Sequence, residues 1–175
     1  NCSEPNLIGG LLERFDYLHS MPEQYRAGVV HRLDKQTSGI ILVAKNITTQ
    51  KKLSDLFMQR KVKKRYLALV CGHPEKEGRI DKPIGRHPHH RYKRTVGGVR
   101  PRSALTFYKT EKYFDDSSLV GIEIKTGRTH QIRVHMKHIG HTLFNDARYG
   151  GDAILKGTTF TKYKQFVDNC FKILP

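Results

Sequence analysis

The sequence has no tryptophan, only three cysteines, and half as many acidic residues (16) as lysines and arginines (32). Each scarcity excludes something. Cys2, Cys71 and Cys170 are odd in number and far apart. That pattern suits neither a disulfide-stapled secreted domain nor a paired-cysteine metal or redox motif, and it points to a reducing, intracellular setting. No apolar run approaches the ~20 residues that cross a bilayer, and no signal-peptide pattern opens the chain. Phosphate-loop and dinucleotide fingerprints are missing, as is any internal repeat. The expected setting is cytoplasmic, with an organelle left open, without a membrane and as a monomer.

What the sequence has in excess is positive charge. A formal charge of +16 and a pI near 9.9 suit a polyanionic partner, because basic side chains release counterions from a phosphate backbone. At 175 residues the chain is long enough for one domain with a full core. The expected organisation is a single domain, 1–175. The chain opens at Asn1 without Met and closes at Pro175, which reads as a piece of a longer gene product.

Periodicity supplies the elements. Leu7, Ile8, Leu11, Leu12, Phe15 and Leu18 fall at helical spacing, although Gly9 and Gly10 interrupt them. Asn46, Thr48 or Thr49 is placed to cap a helix carrying Leu53, Leu56 and Phe57. Its far end is expected to run into the basic stretch 60–65, half helix cap and half nucleic-acid contact. Strands are expected at Ile40–Ala44, Tyr66–Val70, Ala104–Tyr108 and Leu119–Lys125. In the last, Val120, Ile122 and Ile124 alternate with Gly121, Glu123 and Lys125, as a half-buried strand requires. Asp115 and Asp116 read as turn residues. Thr129 is the expected N-cap of a helix bearing Ile132, His135, Met136 and Ile139 on one face, ended by Gly140. Val167, Cys170, Phe171 and Leu174 suggest a further surface helix.

Three stretches have chemistry in them. In His31-Arg32-Leu33-Asp34-Lys35 one carboxylate sits among cations, ahead of a polar turn and the apolar run Ile40–Ala44. On spacing alone, a solvated loop with Asp34 in a surface ion pair is the simpler reading. The segment from Arg86 to Arg102 is a basic arm, with Arg91, Lys93 and Arg94 around the aromatic Tyr92, suited to tracking phosphates. Its histidines, His87, His89 and His90, match no zinc spacing and have no neighbouring cysteine or acid, so no metal is expected. Third, Arg128 and Arg133 stand near a helix start, where the dipole disfavours cations, so each is expected to meet an anion or a carboxylate.

The three coincide with one family. His31-Arg32-Leu33-Asp34 with Thr37-Ser38-Gly39 and Ala44 resembles the catalytic motif of RluA-type pseudouridine synthases. Lys64-Arg65-Tyr66-Leu67-Ala68 resembles their second motif. Gly127-Arg128-Thr129-His130-Gln131-Ile132-Arg133-Val134-His135, continued by Gly140, Asp146, Tyr149 and Gly150, resembles the third. The likeness covers roughly residues 5 to 151, and the order of the motifs makes it specific.

It implies an α+β pseudouridine synthase catalytic domain: a mixed, mostly antiparallel sheet, flanking helices and a central RNA-binding cleft. It implies isomerisation of uridine to pseudouridine in structured ribosomal or transfer RNA, without metal or other cofactor. Asp34 corresponds to the family aspartate, nucleophile or base at the sugar. Arg133 corresponds to the arginine that pairs with it, Tyr66 to the tyrosine that stacks on the base, and Ile132 to the apolar floor. Arg32, Lys35 and Arg128 join the binding set, with Arg91, Lys93, Arg94 and the 61–65 run on phosphates. The uridine must leave its stack to be reached. The chain departs from the family at Thr142 and Asn145, where proline and glycine are usual. Asn145 is expected to hold the left-handed turn a glycine would. The family's opening strand and its closing strand are missing, so the domain is expected to be incomplete. Two other readings fit less well: a non-catalytic RNA binder, which Asp34 argues against, and a zinc nucleobase enzyme, whose ligand cluster is missing.

Overall fold

In the computed structural model, residues 6–20, 26, 28–152 and 169 are described. The expected helix around Val167–Leu174 lies outside the described residues, apart from Asn169. The chain divides into two compact units, Asn1–Val62 and Lys63–Pro175.

In the first unit, helix α1 (Leu7–Arg14) is capped by the Asn6 side chain, which accepts from Gly9 N–H. The expected single helix is split, because Phe15 is extended and a 3₁₀ turn, Asp16–Ser20, follows. Ile8, Leu11, Leu12 and Phe15 close over the buried Leu18, so the apolar spacing is satisfied by a bend. Helix α2 (Ile47–Met58) takes Asn46 as its cap, with Thr49 N–H donating to the Asn46 side chain at 2.8 Å.

Two expectations fail here. Helix α2 ends at Met58, and its last turn has no basic residue. The cations of 60–65 therefore lie in the connection and in the next strand, where they owe nothing to a helix dipole. The Ile40–Ala44 run is not a strand either. It makes one isolated antiparallel bridge, Val29 to Val43, while Ile40 is 81% exposed. Leu42 N–H goes to the His31 ring rather than to a neighbouring strand. A β-branched run needs a partner along its length to become a ladder, and apolar sequence alone does not supply one. Gly28 is needed where it stands, with φ at +76° and its would-be Cβ 2.4 Å from the carbonyl oxygen of Ala44.

In the second unit, β1 (Lys64–Cys71), β2 (Glu77–Asp81), β6 (Leu105–Tyr113) and β7 (Ser117–Ile124) form a sheet in the order β1-β7-β6-β2. Strands β3 (Ile84–Arg86), β4 (Arg94–Val96) and β5 (Val99–Arg102) form a second sheet in the order β4-β3-β5. The basic arm is thus a small sheet with a loop at its tip. Every ladder among the described residues is antiparallel.

The alternation read in β7 is present: Ser118, Val120, Ile122 and Ile124 are buried in turn. Register places Ala68 opposite Val120 and Tyr108 opposite Ile122, so one face of the sheet is apolar. Helix α3 (Gln131–His138) covers that face with the fully buried Met136, flanked by Ile132 and Ile139. Burying side chains of this size contributes about 1.5–3 kcal/mol each. Gly140, at φ +87°, ends α3 as its sequence requires. Gly140 N–H donates to the Lys137 carbonyl and His141 N–H to that of Met136, the paired bonds of a left-handed helix end. The following segment returns along β1, with a bridge from Leu143 to Val70.

Candidate active site

Asp34, Arg32 and Lys35 lie in the first unit. Asp34 is half-buried, and its carbonyl accepts from Thr37 N–H at 2.9 Å, closing a turn that holds Lys35 and Gln36 out in solvent. Arg32 is exposed. His31 is more structural than its neighbours: its ring stacks on Phe57 at 4.9 Å, and its Nε2 accepts from Leu42 N–H at 3.0 Å. That bond ties the start of the loop to the apolar run that follows it. The loop's shape comes from these few bonds and from the turn.

The remaining residues lie in the second unit. Tyr66 is on β1 and Ile132 on α3, and both pack at the margin of the same apolar core. Arg133 leaves the first turn of α3 and meets a carboxylate, as its cost against the helix dipole requires. The carboxylate is Asp146: Nε reaches Oδ2 at 2.7 Å and Nη2 reaches Oδ1 at 2.6 Å. The two side chains are 13% and 7% exposed, so this is a bidentate, largely desolvated pair. Arg128 Nε donates to the Ser103 carbonyl at 3.0 Å.

Asp146 and Tyr149 were legible only as parts of a motif, and their roles emerge from packing. Asn145 adopts φ +60°, the left-handed turn expected of it. That turn lets the Asp146 carbonyl accept from the N–H groups of Tyr149, Gly150 and Gly151. The Arg133 guanidinium lies 4.7 Å from the centre of the Tyr149 ring. The Tyr149 hydroxyl accepts from Arg94 N–H at 2.9 Å and sits 2.7 Å from His130 Nδ1. Burial raises the Tyr149 pKa, so the hydroxyl stays protonated between these two partners. One tyrosine thereby joins β4 to the start of α3.

Thr129 does not cap α3. His130 occupies the cap position in a left-handed conformation (φ 57°) with no side-chain cap bond. The Gln131 side chain does the work instead. Its Oε1 accepts from Thr126 Oγ1–H at 2.7 Å and from Arg128 N–H at 3.0 Å. Its Nε2 donates to the Leu105 carbonyl and to Thr106 Oγ1, each at 3.0 Å. Thr106 then has its own proton for His135 Nδ1, at 2.8 Å, and His135 Nε2–H donates to the Lys82 carbonyl at 2.9 Å. Each buried polar group in this chain has one role, which fixes His135 as neutral. Desolvation lowers its pKa to the same effect.

In the arm, Arg91 is exposed at the loop tip and Lys93 and Arg94 are half-buried. Among the described residues, no three His, Cys, Asp or Glu side chains are grouped to hold a metal ion. No helix among them is long and apolar enough to cross a membrane.

The second unit is an antiparallel sheet covered by one helix, with a bidentate Arg–Asp pair at that helix's start, an α+β arrangement, and solved pseudouridine synthase structures share the fold. The family model described as RNA pseudouridylate synthase matches residues 13–138, and the chain belongs to that family. It is 47% identical over 144 residues to ribosomal large subunit pseudouridine synthase D of Nitrosomonas europaea, covering 82% of this chain and 41% of that protein. With the protein of the same name from Escherichia coli K12, identity is 40% over 147 residues, covering 83% and 43%. The chain thus spans less than half the length of these relatives. Among solved structures, human RNA pseudouridylate synthase domain containing 1 matches with a TM-score of 0.66 and 32% identity, over 73% of this chain and 58% of that one.

Proposed function

We propose that this chain contains the catalytic part of an RNA pseudouridine synthase that isomerises a uridine in structured RNA. The names of its relatives favour large-subunit ribosomal RNA, with transfer RNA second. The observation that carries the reading is the occurrence of all three motifs, in order, in one chain that matches the family over residues 13–138.

The reaction conserves composition. The bond from N1 to C1′ of the ribose breaks, the base turns, a bond from C5 to C1′ forms, and the C5 proton is lost as N1 gains one. An ionised Asp34 serves at the sugar as nucleophile or base. By the family resemblance, Arg133 is the arginine that pairs with the catalytic carboxylate, Tyr66 stacks on the base by its ring face, and Ile132 forms part of the apolar floor. Arg32, Lys35 and Arg128 bind the surrounding nucleotides, and Arg91, Lys93 and Arg94 bind phosphates. The protein acts inside the cell as a monomer. Asp146 holds the Arg133 guanidinium in one plane, which leaves little rotamer entropy to lose on binding RNA.

Mapping pseudouridine across cellular RNA with and without the gene tests the proposal. The reading expects one or a few uridines to lose the modification. Unchanged pseudouridine in every ribosomal and transfer RNA would refute it.

A further inference from the structure

The loop between β3 and β4 has a feature that the isomerisation does not use. Three rings fan across it. His87 and His90 lie with centroids 4.8 Å apart, and His90 and Tyr92 5.7 Å apart, each pair tilted by just over 40°. His87 Nδ1 accepts from the backbone N–H groups of His89 and His90, both at 3.2 Å. The innermost ring is therefore a post that shapes the loop. Lys93 N–H donates to the His90 carbonyl and His87 N–H to the Lys93 carbonyl, closing the base. These bonds hold the rings out from the core. Tyr92 is 60% exposed, with the Arg148 guanidinium 5.7 Å and the Lys93 ammonium 5.9 Å from its ring centre.

Charge decides what such a surface takes. Residues 82–110 contain eight lysines and arginines and no aspartate or glutamate. An apolar peptide would use the rings and waste the cations, and an acidic peptide would do the reverse. A nucleic-acid strand offers phosphates to the cations and π faces to the rings. A duplex hides its base faces in the stack, so ring contact requires an unpaired base. We propose that His90 and Tyr92, flanked by Lys93 and Arg148, form a subsite that stacks an unpaired base of the RNA other than the target uridine. The subsite rests on the reading that the chain acts on RNA, and it makes looped RNA, rather than continuous duplex, the preferred substrate class.

The test is binding, measured by fluorescence anisotropy at about pH 8, where histidines are neutral. The probes are a labelled RNA hairpin with a pyrimidine loop and a blunt RNA duplex with the same number of phosphates. Combining Tyr92→Ala with His90→Ala is expected to weaken hairpin binding about 5- to 100-fold while duplex binding stays within about twofold. Tyr92→Phe, which keeps the ring, is expected to retain hairpin affinity. Arg91→Ala is expected to weaken both RNAs alike and reduce the salt slope. The subsite is refuted if the double variant binds the hairpin as tightly as the parent chain, or loses the same factor on the duplex. Because the readout is binding, ring-dependent hairpin binding by a chain that forms no pseudouridine would sink the proposed reaction and leave the subsite standing.

Discussion

The two segments that bear most of the family's motif residues, 28–44 in the first unit and 126–151 in the second, are held in opposite ways. Among the described residues, the first has the isolated bridge from Val29 to Val43, the bonds from Ala44 N–H to the Gly28 carbonyl and from Leu42 N–H to the His31 ring, and the turn closed on Asp34. Its apolar run ends in an Ile40 that is largely in solvent. The second is tied at nearly every step, through the Thr126–Gln131–Thr106–His135 chain and the Arg133–Asp146–Tyr149 cluster. The segment with the aspartate is open to local rearrangement, whereas the residues that would position a substrate are built into a core.

That contrast can be broken first at Asp146. Asp146→Ala removes one partner of a largely desolvated ion pair, at a cost of about 3–5 kcal/mol. Denaturant unfolding should show that loss, and a change below about 1 kcal/mol would mean that Arg133 is not held as described.

The next largest effect is on pH dependence. His135 is fully buried and its pKa is depressed from 6.5, first by burial, with His138 adding to the shift and the Lys82 carbonyl and Asp81 opposing it. Below pH 6.5 the unfolded chain takes up a proton that the folded chain resists. The contribution is therefore complete above that value and is lost as pH falls towards the folded pKa, at no more than about 1.4 kcal/mol per pH unit. Subtracting the profile of His135→Gln should isolate that slope. Identical profiles for the two proteins would contradict the neutral, two-bonded histidine.

The smallest effect belongs to the first segment. Ile40→Thr should change stability by no more than about 0.5 kcal/mol, as exposed sites do. By comparison, a buried Met136→Ala falls in a class costing about 2–5 kcal/mol. A large loss at Ile40 would show that the run is packed after all.

How much of this could be read from the sequence follows the same division. The alternation in β7, the helix stop at Gly140 and the left-handed turn at Asn145 were legible, because each is a local rule with one solution; that Arg133 meets a carboxylate was legible too, but not that the carboxylate is Asp146. Thr129 misled because a plausible cap residue lost to Gln131, whose amide reaches Thr126, Arg128, Leu105 and Thr106 at once. No local pattern announces such a reach. Ile40–Ala44 misled for the opposite reason: composition describes what a strand prefers and says nothing of whether a neighbour is there to pair with. The roles of Asp146 and Tyr149 needed the fold to bring them to α3.

The central claim is that Asp34 does the chemistry while the second unit positions the RNA. The most direct measurement is pseudouridine formation by Asp34→Asn in an RNA that the parent protein modifies, with folding checked by circular dichroism. A folded protein that has lost activity about a thousandfold or more is the predicted result. Turnover at the parent rate would contradict the account.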